Sequence, residues 1–183
     1  MPADADDRLR IEPLDPARHD RAGFTCGVAK LDNFIRRTAR KQADADITNV
    51  FVLTDDGRRI LGYFTLNAHS IHREDMGSAA PRAGSDDRPI PAAFLGFLAI
   101  ASGHQGQGLG EALLFAALER ALAASERIAL HSVVLDVLDD GDSAARDRRK
   151  RFYETHGFRA FESDPWRMYL PMATVREIFR RAE

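Results

Sequence analysis

The chain has 183 residues, of which 44% are apolar and 30% charged, with a formal net charge of −2. That length and balance predict one soluble globular domain over residues 1–183 with a substantial core, and they exclude a globally basic nucleic-acid coat. A single cysteine, Cys26, excludes an internal disulfide framework, and with no basic-then-apolar leader and no apolar run near 18 residues, the expectation is a cytoplasmic protein without a membrane span.

Met1 to Asp7 is acidic and small, and is expected to fray. Leu9, Ile11 and Leu14 suggest a short first strand, closed by Pro13 and Pro16. From Lys30 to Gln42 the apolar or small positions Leu31, Phe34, Ile35, Thr38 and Ala39 recur at helical spacing, which predicts an amphipathic helix. Its other face carries Arg36, Arg37, Arg40 and Lys41, readable as a solvated face or as a surface for a polyanion. Ile47–Thr54 and Arg59–Ala68, joined through Asp55-Asp56-Gly57, predict an antiparallel hairpin. His72 to Pro91 loses all periodicity and is expected to be a long loop.

Ala93–Ile100 is an apolar strand. It runs into Gln105-Gly106-Gln107-Gly108-Leu109-Gly110, and then into a helix whose stripe is Leu113, Leu114, Ala117, Leu118, Ala121 and Leu122. A glycine loop between strand and helix suits phosphate, because bare backbone N–H groups and the positive end of the helix dipole face one space. No Lys-Ser or Lys-Thr follows the glycines, so this is not a Walker loop, and the spacing and the lack of a later acidic residue disfavour a dinucleotide fold. A tight strand-to-helix turn is the plain alternative. Ile128–Leu138 is the next strand. Asp139 to Asp142 forms a turn, Asp142 or Ser143 caps a helix over about Ala144–Thr155, and Gly157 ends it. Phe158–Phe161 and Trp166–Leu170 are the last strands, and Ala173–Arg181 the last helix. The order predicts an α+β domain.

Gln105-x-x-Gly108-x-Gly110, together with Arg151-Phe152-Tyr153-Glu154-Thr155-His156-Gly157-Phe158, resembles the GNAT N-acetyltransferases. The opening Cys26-Gly27-x-x-x-Leu31-Asp32 and the closing Tyr169-Leu170-Pro171-Met172 are similar to the branch that acetylates aminoacyl-tRNA as toxins of toxin–antitoxin pairs. The resemblance implies a GNAT fold, a single mixed and mostly antiparallel sheet flanked by helices, with splayed central strands. It implies acetyl-CoA as co-substrate, held by the strand edge at Leu98, Ala99 and Ile100 and by Gln105, Gly106, Gln107, Gly108, Leu109 and Gly110. Tyr153 would protonate the leaving sulfur. Without the glycine loop, Tyr153 reads as a half-buried helix aromatic with its hydroxyl at the surface. Arg36, Arg37, Arg40, Arg149 and Lys150 are candidate RNA contacts. Partners implied are aminoacyl-tRNA, a small DNA-binding antitoxin and a second copy in a homodimer. A GNAT enzyme of small-molecule or protein amines, or a non-catalytic CoA-binding module, are the alternatives.

No general base stands out. An α-amino group, with a pKa of ~8, is partly neutral at physiological pH and needs one less than lysine does. Cys26 lacks a His or Asp constellation and reads as a small packed residue. His69, His72, His104, His131 and His156 lack ligand spacing, so no metal is expected. Trp166 reads as core.

Overall fold

The computed structural model describes residues 9–83 and 88–182. The Met1–Asp7 segment lies outside the described residues, as does 84–87 of the expected loop.

Among the described residues seven strands form one mixed sheet in the order β1-β2-β3-β4-β5-β7-β6. The strands are β1 Arg10–Pro13, β2 Asn49–Thr54, β3 Gly62–Ile71, β4 Ile90–Ile100, β5 Ser132–Asp136, β6 Arg159–Ala160 and β7 Arg167–Pro171. The helices are α1 Ala29–Asn33, α2 Ala39–Asp44, α3 Arg73–Met76, α4 Leu109–Ser125, α5 Ser143–Thr155 and α6 Met172–Ala182. The pairs β1–β2, β2–β3, β5–β7 and β6–β7 are antiparallel, and β4–β5 is parallel over Ala92↔Ser132 to Phe94↔Val134. Among the described residues no helix is long and apolar enough to cross a membrane.

The chain divides into two compact units, one of residues 1–67 with 96–117 and one of 68–95 with 118–183. In the first, the expected hairpin forms with Val52 opposite Tyr63, and its return strand starts at Gly62 rather than Arg59. The helix expected over Lys30–Gln42 is α1 and α2 joined by a π-helical stretch, Phe34–Thr38, in which the Ala39 amide reaches back five residues to the Phe34 carbonyl. The stripe points inward as its spacing requires: Leu31, Phe34, Ile35 and Ala39 are all buried. Phe34 packs on Tyr63 and Phe97 with ring centroids 6.0 and 4.8 Å apart, and the Tyr63 hydroxyl donates to the Leu31 carbonyl at 2.8 Å.

In the second unit Ile71, Met76, Ile90, Ala92, Val134, Phe161 and Tyr169 make a small core, with Ala80 and Phe94 against it. Two expectations are corrected here. The 72–91 segment is not one long loop: α3 and a 3₁₀ turn at Gly77–Ala79 follow β3, and β4 already starts at Ile90. Met76 supplies the apolar anchor of α3, buried in that core. The strand expected over Ile128–Leu138 shortens to Ser132–Asp136, since Arg127 and Ile128 both donate back to the Ala124 carbonyl and extend the end of α4 as a turn.

Gly62 marks a close approach. A Cβ there would lie 2.8 Å from Ile100 Cδ1 and 2.9 Å from both the Ala99 carbonyl oxygen and Leu113 Cδ1. Gly62→Ala is expected to cost about 1–3 kcal/mol, as overpacking against backbone does. A thermal melt should show it as a Tm fall of roughly 2–4 °C per kcal/mol.

Candidate active site

The first unit builds a bare, anchored loop at the end of β4. The Phe97 amide leaves the ladder and donates to Thr65 Oγ1 at 2.9 Å. Beyond it Leu98 and Ile100 are half-buried and Ala99 is buried. A single 3₁₀ turn, Ser102–His104, then leads into the glycines. Gly106 and Gly108 have φ of +74° and +79°, the left-handed region in which a side chain strains the backbone. A Cβ at Gly106, Gly108 or Gly110 would meet no heavy atom within 4 Å. Gln105, Gly106, Gln107 and Gly108 are exposed, and Leu109 and Gly110 open the 17-residue α4. The amides of a first helical turn have no intrahelical acceptor, so this surface offers clear N–H donors at the positive end of a dipole. That donor set fits a pyrophosphate.

The sequence reading counted Gln105 among the ligand-binding residues; the structure gives its side chain an internal task. Its amide Nε2 donates to the carbonyls of Ile100 at 3.0 Å and Cys26 at 3.1 Å, tying the loop to the end of β4 and to the opening segment. The Ser102 amide donates to the Thr25 carbonyl at 2.9 Å. Thr25 and Cys26 are held in turn by Asp32, whose carboxylate accepts from the Cys26 amide at 2.8 Å and the Thr25 hydroxyl at 2.9 Å. Burial pushes the Asp32 carboxyl up, but these hydrogen bonds and the Arg36 charge push it further down, so it lies below the ordinary aspartate value. The Cys26-Gly27-x-x-x-Leu31-Asp32 spelling is therefore a scaffold. The Cys26 thiol is buried, and burial raises it to about 11, which suits a packed residue and not a nucleophile.

In the second unit, Tyr153 sits near the end of α5. Asp142 caps the start of this helix, accepting from the Ala145 amide at 3.0 Å. The other end closes as a Schellman motif: the Phe158 amide donates to the Tyr153 carbonyl at 3.1 Å and the Gly157 amide to the Glu154 carbonyl at 3.0 Å, with Gly157 at φ +91°. Phe158 and Phe152 meet the Tyr153 ring edge to face at 5.7 and 5.3 Å. Among the described residues, the Tyr153 hydroxyl has no hydrogen-bond partner. Burial pushes the phenol up to about 12, opposed by the positive charge of Arg149. A phenol so placed keeps its proton across the physiological range.

The cations divide into two kinds. Arg36 donates through Nε to the Phe24 carbonyl at 2.9 Å, and Arg40 pairs with Asp44 at 3.4 Å. Arg149 grips Asp140 with a two-pronged contact at 3.0 and 2.7 Å. Arg146 pairs with Asp139 at 3.0 Å and stacks over Trp166 at 4.0 Å, and Lys150 lies 5.2 Å from the same ring. Trp166 is thus a half-buried platform for cations rather than core. Arg37, Lys41, Arg148 and Arg151 are exposed. Among the described residues no three His, Cys, Asp or Glu side chains gather as a metal site. Sequence reasoning missed the roles of Asp32, Thr25 and Ser102. Only Asp32 carried a signal, as a polar residue beside Leu31 on an otherwise apolar stripe.

Asp32→Ala is expected to cost about 1.5–3 kcal/mol, the worth of hydrogen bonds to a charged group. Because the folded-state pKa is depressed, the stabilisation is present above the unfolded value of ~3.9 and lost as pH falls through the lower folded value. Urea unfolding at pH 7 should separate the variant from wild type, and the difference should shrink progressively as the pH is lowered below ~3.9.

Residues 46–160 match the family model of the acetyltransferase (GNAT) domain. The chain is 40% identical over 169 residues to the probable toxin TacT of Sinorhizobium fredii (strain NBRC 101917 / NGR234), covering 92% of this chain and 93% of that one. It is 28% identical over 159 residues to the tRNA-acetylating toxin of Mycobacterium tuberculosis (strain ATCC 25618 / H37Rv), covering 87% and 90%. Among solved structures, AtaTR bound with AcCoA superposes with a TM-score of 0.79 at 28% identity, covering 94% of this chain and 99% of that one. AtaT complexed with acetyl-methionyl-tRNAfMet gives a TM-score of 0.82 at 25% identity, covering 93% and 99%.

Proposed function

The chain belongs to the GNAT acetyltransferase family, and on that premise we propose that it transfers acetyl from acetyl-CoA to the α-amino group of an aminoacyl-tRNA, as the toxin of a toxin–antitoxin pair. The observation that carries the reading is the 40% identity to a probable toxin over nearly the whole of both chains, coupled to an intact glycine loop and tyrosine. The family model spans residues of both compact units, which supports reading 1–183 as one acetyltransferase domain.

Acetyl arrives as the thioester of CoA, an activated carbonyl that a neutral amine attacks. The chain's residues then have distinct tasks. Backbone amides from Gly106 to Gly110 bind the pyrophosphate, and the first turn of α4 adds its dipole. Gln105 holds this loop in shape from within. The β4 edge at Leu98, Ala99 and Ile100 offers backbone groups to the amides of the CoA arm as an added strand does. Ile100 contributes less of that edge than expected, since its carbonyl already accepts from Gln105. Tyr153 gives its proton to the departing sulfur. An α-amine near its own pKa of ~8 is already partly neutral, so the chemistry proceeds without a strong base.

For RNA, the exposed Arg37, Lys41, Arg148 and Arg151 are better placed than Arg36 and Arg149, which are bonded to the Phe24 carbonyl and to Asp140, while Arg40 makes only an exposed surface pair with Asp44. Phosphate contacts of this kind make binding fall steeply with salt. A small antitoxin and a homodimer complete the reading as partners. Copurification from coexpression and mass by light scattering test them.

Labelled acetyl-CoA with charged and uncharged tRNA pools is the decisive assay. Label is expected on charged tRNA only; thiol release with small amines and no label on tRNA would move the acceptor to another amine. Tyr153→Phe is expected to lower kcat about 10²- to 10⁴-fold, the usual loss of a general acid, while acetyl-CoA binding by calorimetry is retained. Because Tyr153 stays protonated until pH approaches about 12, the wild-type rate should rise as the amine deprotonates and show no alkaline fall below pH 10.

A further inference from the structure

We propose that Arg149 is a positioning residue for Tyr153: it holds a fixed positive charge one helical turn away and stabilises the phenolate oxygen as its proton passes to the departing sulfur. This rests on the reading of Tyr153 as the acid. In the step concerned, the amine nitrogen bonds to the acetyl carbon, the carbon–sulfur bond breaks, and the sulfur takes the phenolic proton. The surplus proton of the amine leaves to solvent, and the phenolate regains one from solvent.

Three observations converge. Arg149 and Tyr153 are four apart on α5, so they stand on adjacent turns of one helix face. The guanidinium does not wander. Nη1 donates to the Leu138 carbonyl at 3.2 Å and to Asp140 Oδ1 at 3.0 Å, and Nη2 donates to Asp140 Oδ2 at 2.7 Å. Asp140 is itself set by a stiff turn, in which Gly141 has φ +88° and donates to Asp139 Oδ1, and Asp142 caps the helix. The Asp140 carboxyl is held down to about 2 by this contact, so the pair stays ionised at any working pH. Lastly, the positive charge of Arg149 opposes the effect of burial on the phenol, and among the described residues the Tyr153 hydroxyl has no hydrogen-bond partner to stabilise an oxyanion in its place. An arginine spent this way keeps only two of its five N–H donors for an RNA phosphate.

A double-mutant cycle separates this role from two simpler ones, a strut between loop and helix and a phosphate contact. Steady-state acetylation of charged tRNA is measured for wild type, Arg149→Gln, Tyr153→Phe and the double variant. Arg149→Gln is expected to lower kcat about 10- to 100-fold with both KM values little changed, the effect expected of a charge acting on an ionising neighbour. In the Tyr153→Phe background, where no phenolate forms, the same substitution is expected to cost less than about twofold. Arg149→Lys, which keeps the charge and loses the fork, should recover part of kcat. Equal losses in both backgrounds would overturn the proposal in favour of the strut. A raised KM for tRNA with unchanged kcat would overturn it in favour of the phosphate contact. Should Arg149→Gln fail to fold by circular dichroism, Asp140→Asn, which keeps the guanidinium charge but frees its fork, takes its place in the cycle: a change in kcat that vanishes in the Tyr153→Phe background is expected, and an equal change in both backgrounds would overturn the proposal. If Tyr153→Phe alone keeps the wild-type rate, the acid assignment itself falls and this proposal with it, a result distinct from additivity.

Discussion

The Asp32 carboxylate accepts hydrogen bonds from the Cys26 amide and the Thr25 hydroxyl, and the glycine loop hangs on the two residues so fixed. Thr25 presents its carbonyl to the Ser102 amide, and Cys26 presents its carbonyl to the Gln105 side chain. A loop with two positive-φ glycines and no side chains against it has little of its own to hold a shape, and glycine loses more backbone entropy on ordering than any other residue. The anchors sit at its start, where they order the backbone without covering the amides. A buried carboxylate is costly unless its oxygens are satisfied. Here both oxygens are, which converts an electrostatic burden into a rigid post.

The same division between scaffold and open surface governs the charges. Thirty percent of the chain is charged, yet its densest cationic stretch, Arg146 to Arg151, is largely turned to internal use. Arg146 and Arg149 pair with Asp139 and Asp140, and Lys150 joins Arg146 on Trp166. These contacts are partly exposed, so each is worth little as an ion pair in water. Their value is geometric: they fix the turn between β5 and α5, and with it the start of the helix that carries Tyr153. A capped N-terminus and a Schellman C-terminus then leave that helix no freedom to slide or fray at the tyrosine.

The order of strands and helices was legible because it rests on local physics. Apolar spacing at Leu31, Phe34, Ile35 and Ala39 dictated which face turned inward, and Gly157 after Thr155 marked a helix end that only a left-handed residue makes well. Where the reading slipped, long-range contacts had decided. Met76 and Ala80 gain their structure from a core shared with Val134, Phe161 and Tyr169, residues dozens of positions away. Trp166 looked like core because it is large and apolar, and became a platform because α5 brings two cations to its ring.

For the site itself, the sequence alone determined the chemistry on offer: bare glycines before a helix, and a tyrosine in a recognisable helical context. Those are properties of single residues and their neighbours, and spacing carries them. Tertiary structure decided which polar groups remain available. Gln105, Arg36 and Arg149 each look like a ligand contact in isolation, and each is already bonded to the protein. A side chain's donors are engaged by whatever the fold brings near, across separations of 79 residues for Gln105 and 12 for Arg36, and no local pattern records that.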